Sequence, residues 1–156
     1  MKKLLIVLFL FLLVGCSSNT VENPMLPKNS LDEINEITHG NIHKPGVMGI
    51  TQEGFYIIES KEGNIAEYDF VLNDIGYTIR FSDTIVKKDI SGIYIDGKPA
   101  FDEDIENNIK VEGEGYFIGR WFTTDGQYCF IAPDTIHSDL FDALLEEVSW
   151  QTIPNN

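Results

Sequence analysis

Between residues 65 and 82 apolar side chains recur at every second position, interrupted once by Asn73-Asp74-Ile75-Gly76. A period of two commits that stretch to paired, half-buried strands and excludes a helix. Setting Leu72 opposite Tyr77 places Phe70 opposite Ile79, Tyr68 opposite Phe81 and, on the other face, Asp69 opposite Arg80. Each cross-strand pair of this kind contributes about 0.2–1 kcal/mol. A slip of one residue would exchange the two faces, so the alternation itself resists misregistration.

The same period marks further strands. Phe55-Tyr56-Ile57-Ile58 is the first, and Ile93-Tyr94-Ile95 is a short one ending at the turn pair Asp96-Gly97. A second hairpin runs over 116–124 and returns through Asp125-Gly126 to 127–132, a dipeptide that favours a tight primed turn. That turn sets Trp121 against Phe130, Phe122 against Cys129 and Arg120 against Ile131. Both faces of this hairpin carry bulky apolar groups, which predicts a place inside the sheet, covered on both sides. At the other end of the pattern, Ser30 and Glu33 form a capping box ahead of the stripe Leu31, Ile34 and Ile37, and Gly40 supplies the stop of a short helix. Leu140, Phe141, Leu144, Leu145 and Val148 follow helical spacing and predict a C-terminal amphipathic helix wide enough to cover the sheet, with Trp150 completing the packing.

Ahead of this pattern stand Lys2 and Lys3, eleven apolar residues over 4–14, and Leu13-Val14-Gly15-Cys16. The run is too short to span a bilayer, which takes about 20 apolar residues, and it has the order of a secretory signal. With Leu three positions before the cysteine and Gly15 just before it, the site reads as a lipobox, cut between Gly15 and Cys16, with a diacylglyceryl group on the Cys16 thiol. Two acyl chains, at about 0.8 kcal/mol per buried CH₂, anchor stably where one does not. The expected organisation is a signal peptide at 1–15, a lipidated cysteine and flexible tether at 16–29, one domain at 30–151 and a tail at 152–156.

This address constrains the fold. With Cys16 acylated only Cys129 remains, so no intrachain disulfide can form and stability must come from a packed core. The 141 residues from Cys16 onward suffice for one such core. Removing Lys2 and Lys3 from the 11 basic residues leaves 9 against 25 acidic ones, a net charge of −16. That charge excludes nucleic acid as a partner and holds the domain off anionic headgroups within a Debye length of about 8 Å.

The ordered set Asn23-Pro24, Ser30-Leu31-Asp32-Glu33, Ala66-Glu67-Tyr68, Tyr77-Thr78-Ile79-Arg80, Asp89-Ile90-Ser91-Gly92-Ile93-Tyr94 and Arg120-Trp121 resembles a family of uncharacterised extracytoplasmic domains. Members occur mainly in Gram-positive bacteria, in lipoproteins and outside predicted membrane regulators. The resemblance covers nearly all of the chain after residue 16, and 89–94 is its most specific part. It implies a single α+β domain with a curved antiparallel sheet, here of about five to seven strands between the short N-terminal and the C-terminal helix. No activity comes with it.

Signatures of catalysis are missing: there is no nucleophile elbow, zincin helix, cysteine pair or phosphate loop. Gly113-Glu114-Gly115 starts like a dinucleotide fingerprint, but it precedes a strand and Gly119 falls one position late, so it reads as a loop or bulge. His39 and His43 have helical metal spacing broken by Gly40, His137 is remote, and solvent-facing histidines are the simpler reading. The acidic stretch 102–107 lacks the glycine a calcium loop needs at its sixth position, where Asn107 stands, and reads as a solvated loop. Cys129 sits within a strand, which argues for an inert thiol. No cofactor and no metal is expected.

Arg80 and Arg120 are the only arginines. Arg80 is expected to pair with Asp69, and Arg120 with a carboxylate or an aromatic ring; as candidate ligand contacts, Arg80, Arg120, Trp121 and Phe122 would hold an anionic group at the mouth of an apolar second face around Ile118, Phe122 and Ile131. The expectation is therefore a membrane-anchored lipoprotein on the extracytoplasmic face, carrying a non-catalytic domain that binds an envelope protein or a small amphipathic ligand. The alternative is a cell-surface, hydrolase-like enzyme whose site no motif reveals. Modulation of a neighbouring transmembrane regulator is suggested only by the company the family keeps.

Overall fold

The computed structural model describes residues 25–85, 87–101, 109–111 and 115–133. The expected C-terminal helix, Trp150, the tail, the acidic stretch 102–107, His137, and both Gly15 and Cys16 lie outside the described residues.

The described chain is mostly antiparallel β-structure with one short helix. In chain order the elements are β1 (Met25–Lys28), α1 (Leu31–Thr38), β2 (Ile50–Ser60), β3 (Gly63–Leu72), β4 (Ile75–Ser82), β5 (Tyr94–Ile95), β6 (Lys98–Pro99), β7 (Ile109–Val111), β8 (Tyr116–Phe122) and β9 (Gln127–Pro133). Seven strands form one sheet in the order β1-β2-β3-β4-β9-β8-β7, and β5 and β6 form a separate hairpin. Strands β8 and β9 thus lie inside the sheet, as their apolar faces require.

Two hairpin registers differ from the sequence expectation, each by two residues. Leu72 faces Ile75, so Phe70 pairs with Tyr77, Tyr68 with Ile79 and Glu67, not Asp69, with Arg80. The cause is the turn: Asn73 and Asp74 both take left-handed φ, 52° and 64°, which closes the hairpin in two residues where four were expected. In the second hairpin Trp121 faces Tyr128, not Phe130, and Arg120 faces Cys129, not Ile131. Here the turn sits one residue earlier than Asp125-Gly126: the Thr123 amide donates to the Gly126 carbonyl at 2.9 Å, which encloses Thr124-Asp125 and moves the register by two. Gly126 presses against β4; a β-carbon there would lie 2.3 Å from the Ser82 carbonyl oxygen.

Residues 25–28, expected to belong to a flexible tether, form a strand. Met25–Lys28 pairs with β2, setting Leu26 against Ile57 and Lys28 against Phe55. Pro27 tolerates this position because an edge strand has one side on which no ladder amide is needed.

Helix α1 starts where the pattern predicts. Ser30 Oγ accepts from the Glu33 amide at 3.2 Å, while the Glu33 carboxylate accepts from the Asn29 amide at 2.9 Å, one residue before the cap. The stop is His39, not Gly40: His39 is left-handed at φ 50°, and the Gly40 amide donates to the Asn35 carbonyl. Gly40 serves close packing, since a β-carbon on it would lie 2.5 Å from the Phe81 ring. The Asn35 side chain then holds the chain beyond the helix, bonding both the amide and the carbonyl of Ile42.

Two apolar cores result, one on each face of the sheet. The helix side gathers Ile34, Ile42, Tyr68, Phe70, Tyr77, Phe81, Phe130 and their neighbours. The second face gathers Ile58, Ile65, Ile118, Cys129 and Ile131 under Ile85, Ile90, Ala100 and Phe101 of the connection that follows β4.

Candidate functional site

Strand registers assemble a polar row across the second face. Tyr56 lies beside Glu67, Glu67 beside Arg80, Arg80 beside Cys129, and Cys129 beside Arg120. Glu67 and Arg120 are both almost fully buried, 2% and 1% exposed. Charges at such depth persist only when partnered. Arg80 Nε donates to Glu67 Oε2, and Arg80 Nη1 donates to the carbonyls of Ile90 and Ser91. Burial raises the Glu67 pKa above the usual carboxylate range, with the Arg80 charge opposing and the Asp69 charge adding to the rise. Arg120 is sandwiched between rings, its Cζ 4.8 Å from the Phe101 centroid and 5.2 Å from that of Phe122.

The connection 83–101 is shaped to meet this row. Asp89 accepts from the Ser91 amide at 2.7 Å, from the Ser91 hydroxyl at 2.9 Å and from the Phe101 amide at 3.3 Å. Gly92 follows at φ 66°, and a β-carbon on it would sit 2.7 Å from Arg80 Nη1, so this position needs glycine on both counts. Gln127, fully buried, donates to the carbonyls of Ile85 and Lys88, both at 2.8 Å. Ser82 Oγ accepts from the Ile85 amide and donates to the Asn64 carbonyl, each at 3.0 Å. Arg80 and the 89–94 segment therefore meet in one structural clamp.

This placement revises the expected ligand contacts. Arg80, Arg120 and Phe122 come together on the second face, whereas Trp121 points to the helix side and stacks on Tyr128 at 5.1 Å. Ile118 and Ile131 are buried beneath the chain's own 85–101 stretch, so the apolar surface expected to be open around them is closed. Cys129 has no exposed surface, and burial pushes its thiol well above the ordinary value, as an inert thiol requires. His39 faces Asp83 at 3.0 Å, and His43 lines a separate hollow. Among the described residues no three His, Cys, Asp or Glu side chains form a metal-binding group.

What the connection leaves uncovered is the end of the second face near the β3–β4 turn. There Gly54, Asp69 and Thr78 stand in one cross-strand row, bordered by Tyr56, Val71 and Gln52, around a hollow of about 350 Å³. Thr78 Oγ1 donates to Asp69 Oδ1 at 2.6 Å. A second hollow, about 600 Å³, lies between α1, residues 41–44 and β2. At its rim Glu53 accepts from Tyr68 Oη at 2.7 Å and from Lys44 Nζ, and these bonds, Lys44 first, hold its carboxyl below the usual range. Tyr68 moves the opposite way, raised mainly by burial.

Sequence reasoning missed Glu67, Gln127 and the Gly54–Asp69–Thr78 row. A charged residue between Ala66 and Tyr68 in a strand interior was the available signal for Glu67; a glycine and a threonine in strands carry none.

No family model, curated protein or solved structure matches the chain. Among the described residues no helix is long and apolar enough to cross a membrane.

Proposed function

We propose that this chain is a bacterial lipoprotein: a non-catalytic interaction domain on the extracytoplasmic face of the cell membrane, anchored through a diacylglyceryl group on Cys16. The observation that carries the reading is the order Lys2-Lys3, eleven apolar residues, Gly15-Cys16. Eight residues separate Cys16 from Met25, where β1 begins, so the leash reaches about 30 Å at full extension. The likeness to extracytoplasmic domains agrees with this address and supplies no reaction. Among the described residues the groups displaced furthest from their ordinary pKa values are shifted mainly by burial within the fold: Cys129, Tyr68, which donates to Glu53, and Tyr128.

Two finer features belong to the same reading. The sheet is curved, which the irregular register between Ile50 and Gln52 in β2 favours, since a bulge bends its strand. The stripe Leu140, Phe141, Leu144, Leu145 and Val148 forms a helix over the β8–β9 half of the helix-side face. Its support is that α1 meets β2 and β3, while Phe117, Trp121 and Phe130 at the far side are buried as well.

The test is Cys16→Ser in the native host. Acyl labelling and membrane attachment are expected to disappear together, leaving the precursor uncleaved or the domain soluble. Attachment that survives the substitution would sink the lipobox reading.

A further inference from the structure

We propose that the hollow near the β3–β4 turn binds a lysine ammonium group presented by an extended peptide of the partner. The proposal rests on the interaction-domain reading above and names what is bound.

Geometry makes the hollow a built site. Gly54, with no side chain, lets the Tyr56 ring lie down on the sheet surface, where a β-carbon on Gly54 would meet Tyr56 Oη at 2.8 Å, and the ring forms one wall of the hollow. Asp69 stands opposite Gly54, half-buried, with Oδ1 already engaged by Thr78. The carboxylate is thereby held in one orientation.

Charge selects the ligand. Glu67, two residues earlier on the same face of β3, has its cation in Arg80, whereas among the described residues no lysine or arginine pairs with Asp69. Asp69 therefore carries an uncompensated charge in a hollow of a protein whose net charge after residue 15 is −16. An anion is repelled there, and a neutral group would strip water from the carboxylate without replacing its hydrogen bonds. A cation gains the carboxylate and the aromatic wall at once. Guanidinium prefers two parallel bonds to both carboxylate oxygens, and Thr78 occupies one of them, so the compact ammonium fits better.

Volume and position select a peptide as its carrier. About 350 Å³ is at the lower end of ordinary ligand pockets and exceeds what a lone alkylammonium fills. The Gln52 amide at the rim can meet the backbone on either side of the lysine. The hollow also lies at the β3–β4 turn, while the leash enters at Met25, beside Ile58 toward the opposite end of β2. It faces away from the anchor.

The experiment titrates an acetylated, amidated trilysine peptide into the lipidated protein in uncharged detergent, at about 0.15 M salt where the Debye length is about 8 Å. Saturable binding is expected, weakened about tenfold by Asp69→Asn and about threefold by Tyr56→Leu. Asp69→Asn preserves the shape of the side chain, and an unchanged thermal melt confirms that it remains folded. Asp96→Asn removes the same charge from the exposed β5–β6 turn and is expected to leave affinity within about twofold. The proposal is overturned by absent binding, by an Asp69→Asn protein that binds like the parent, by equal weakening from Asp96→Asn, or by 1,5-diaminopentane binding as tightly as the peptide. Cys16→Ser separates the two readings: if it detaches the protein while Asp69-dependent binding persists, both stand, and if attachment survives it, only the anchor falls.

Discussion

On the helix side of the sheet, Phe55, Tyr68, Phe70, Tyr77 and Phe130 stack in succession across four strands, with centroids 5.1–5.9 Å apart. Behind the same strands, Arg80, which is itself paired with Glu67, joins Ser82 and Gln127 in bonding specific carbonyls and amides of 83–101. Aromatic packing is broadly distributed and tolerates small shifts. A buried polar clamp does not, because each unmade bond costs the full desolvation of its group. The first face thus holds the sheet together, and the second determines where one particular segment lies.

Arg80→Met should separate the two most sharply. It leaves the Glu67 carboxylate buried without its cation and is expected to cost about 3–5 kcal/mol in urea unfolding, with new protease cleavage at Lys87 or Lys88 under native conditions. Phe130→Ala removes a fully buried ring from the other face and should cost a similar amount, about 3–5 kcal/mol, without that cleavage. Equal cleavage in both variants would show that the faces are not independent.

A smaller effect is expected from Gln127→Leu, which strands the carbonyls of Ile85 and Lys88. A loss of about 2–3 kcal/mol should appear in urea midpoints, with amide exchange accelerating in 85–93 before it does in β3.

The smallest effect sharpens the contrast from the aromatic side. Glu53 has a folded pKa below its ordinary value of 4.5, so its contribution is present above that value and is lost as pH falls through the depressed one. Glu53→Gln should flatten this acid limb by less than about 1 kcal/mol, since the Lys44 pair is solvent-exposed. Urea midpoints compared between pH ~7 and ~3 measure the difference.

How much of this was legible in the sequence follows from what alternation can encode. A period of two assigns each residue to a face, and Tyr68, Phe70, Ile79 and Phe81 share one face as expected. Alternation is blind to a slip of two, however, and both hairpins slipped by two because their turns decide the register. Nothing in Asn73-Asp74-Ile75-Gly76 distinguishes a turn closed by the first pair from one that uses all four residues, until the two left-handed φ values are seen. Strand β1 was hidden by its brevity and by Pro27. Of the site, Arg80 and Arg120 stood out as isolated charges, but the Ile90 and Ser91 carbonyls and the Phe101 ring that meet them come from 83–101, and no local pattern tells where a long connection returns to the sheet. Gly54 was invisible because its contribution is a missing side chain.

Strand β1 has a mechanical consequence. It runs antiparallel to β2, and a pull on its Met25 end directed along the strand axis is carried by that ladder. Ladder hydrogen bonds lie across that axis, so such a force loads them together in shear instead of peeling them one at a time. A four-residue edge strand, the weakest kind in equilibrium terms, is here oriented so that it resists tension as a unit.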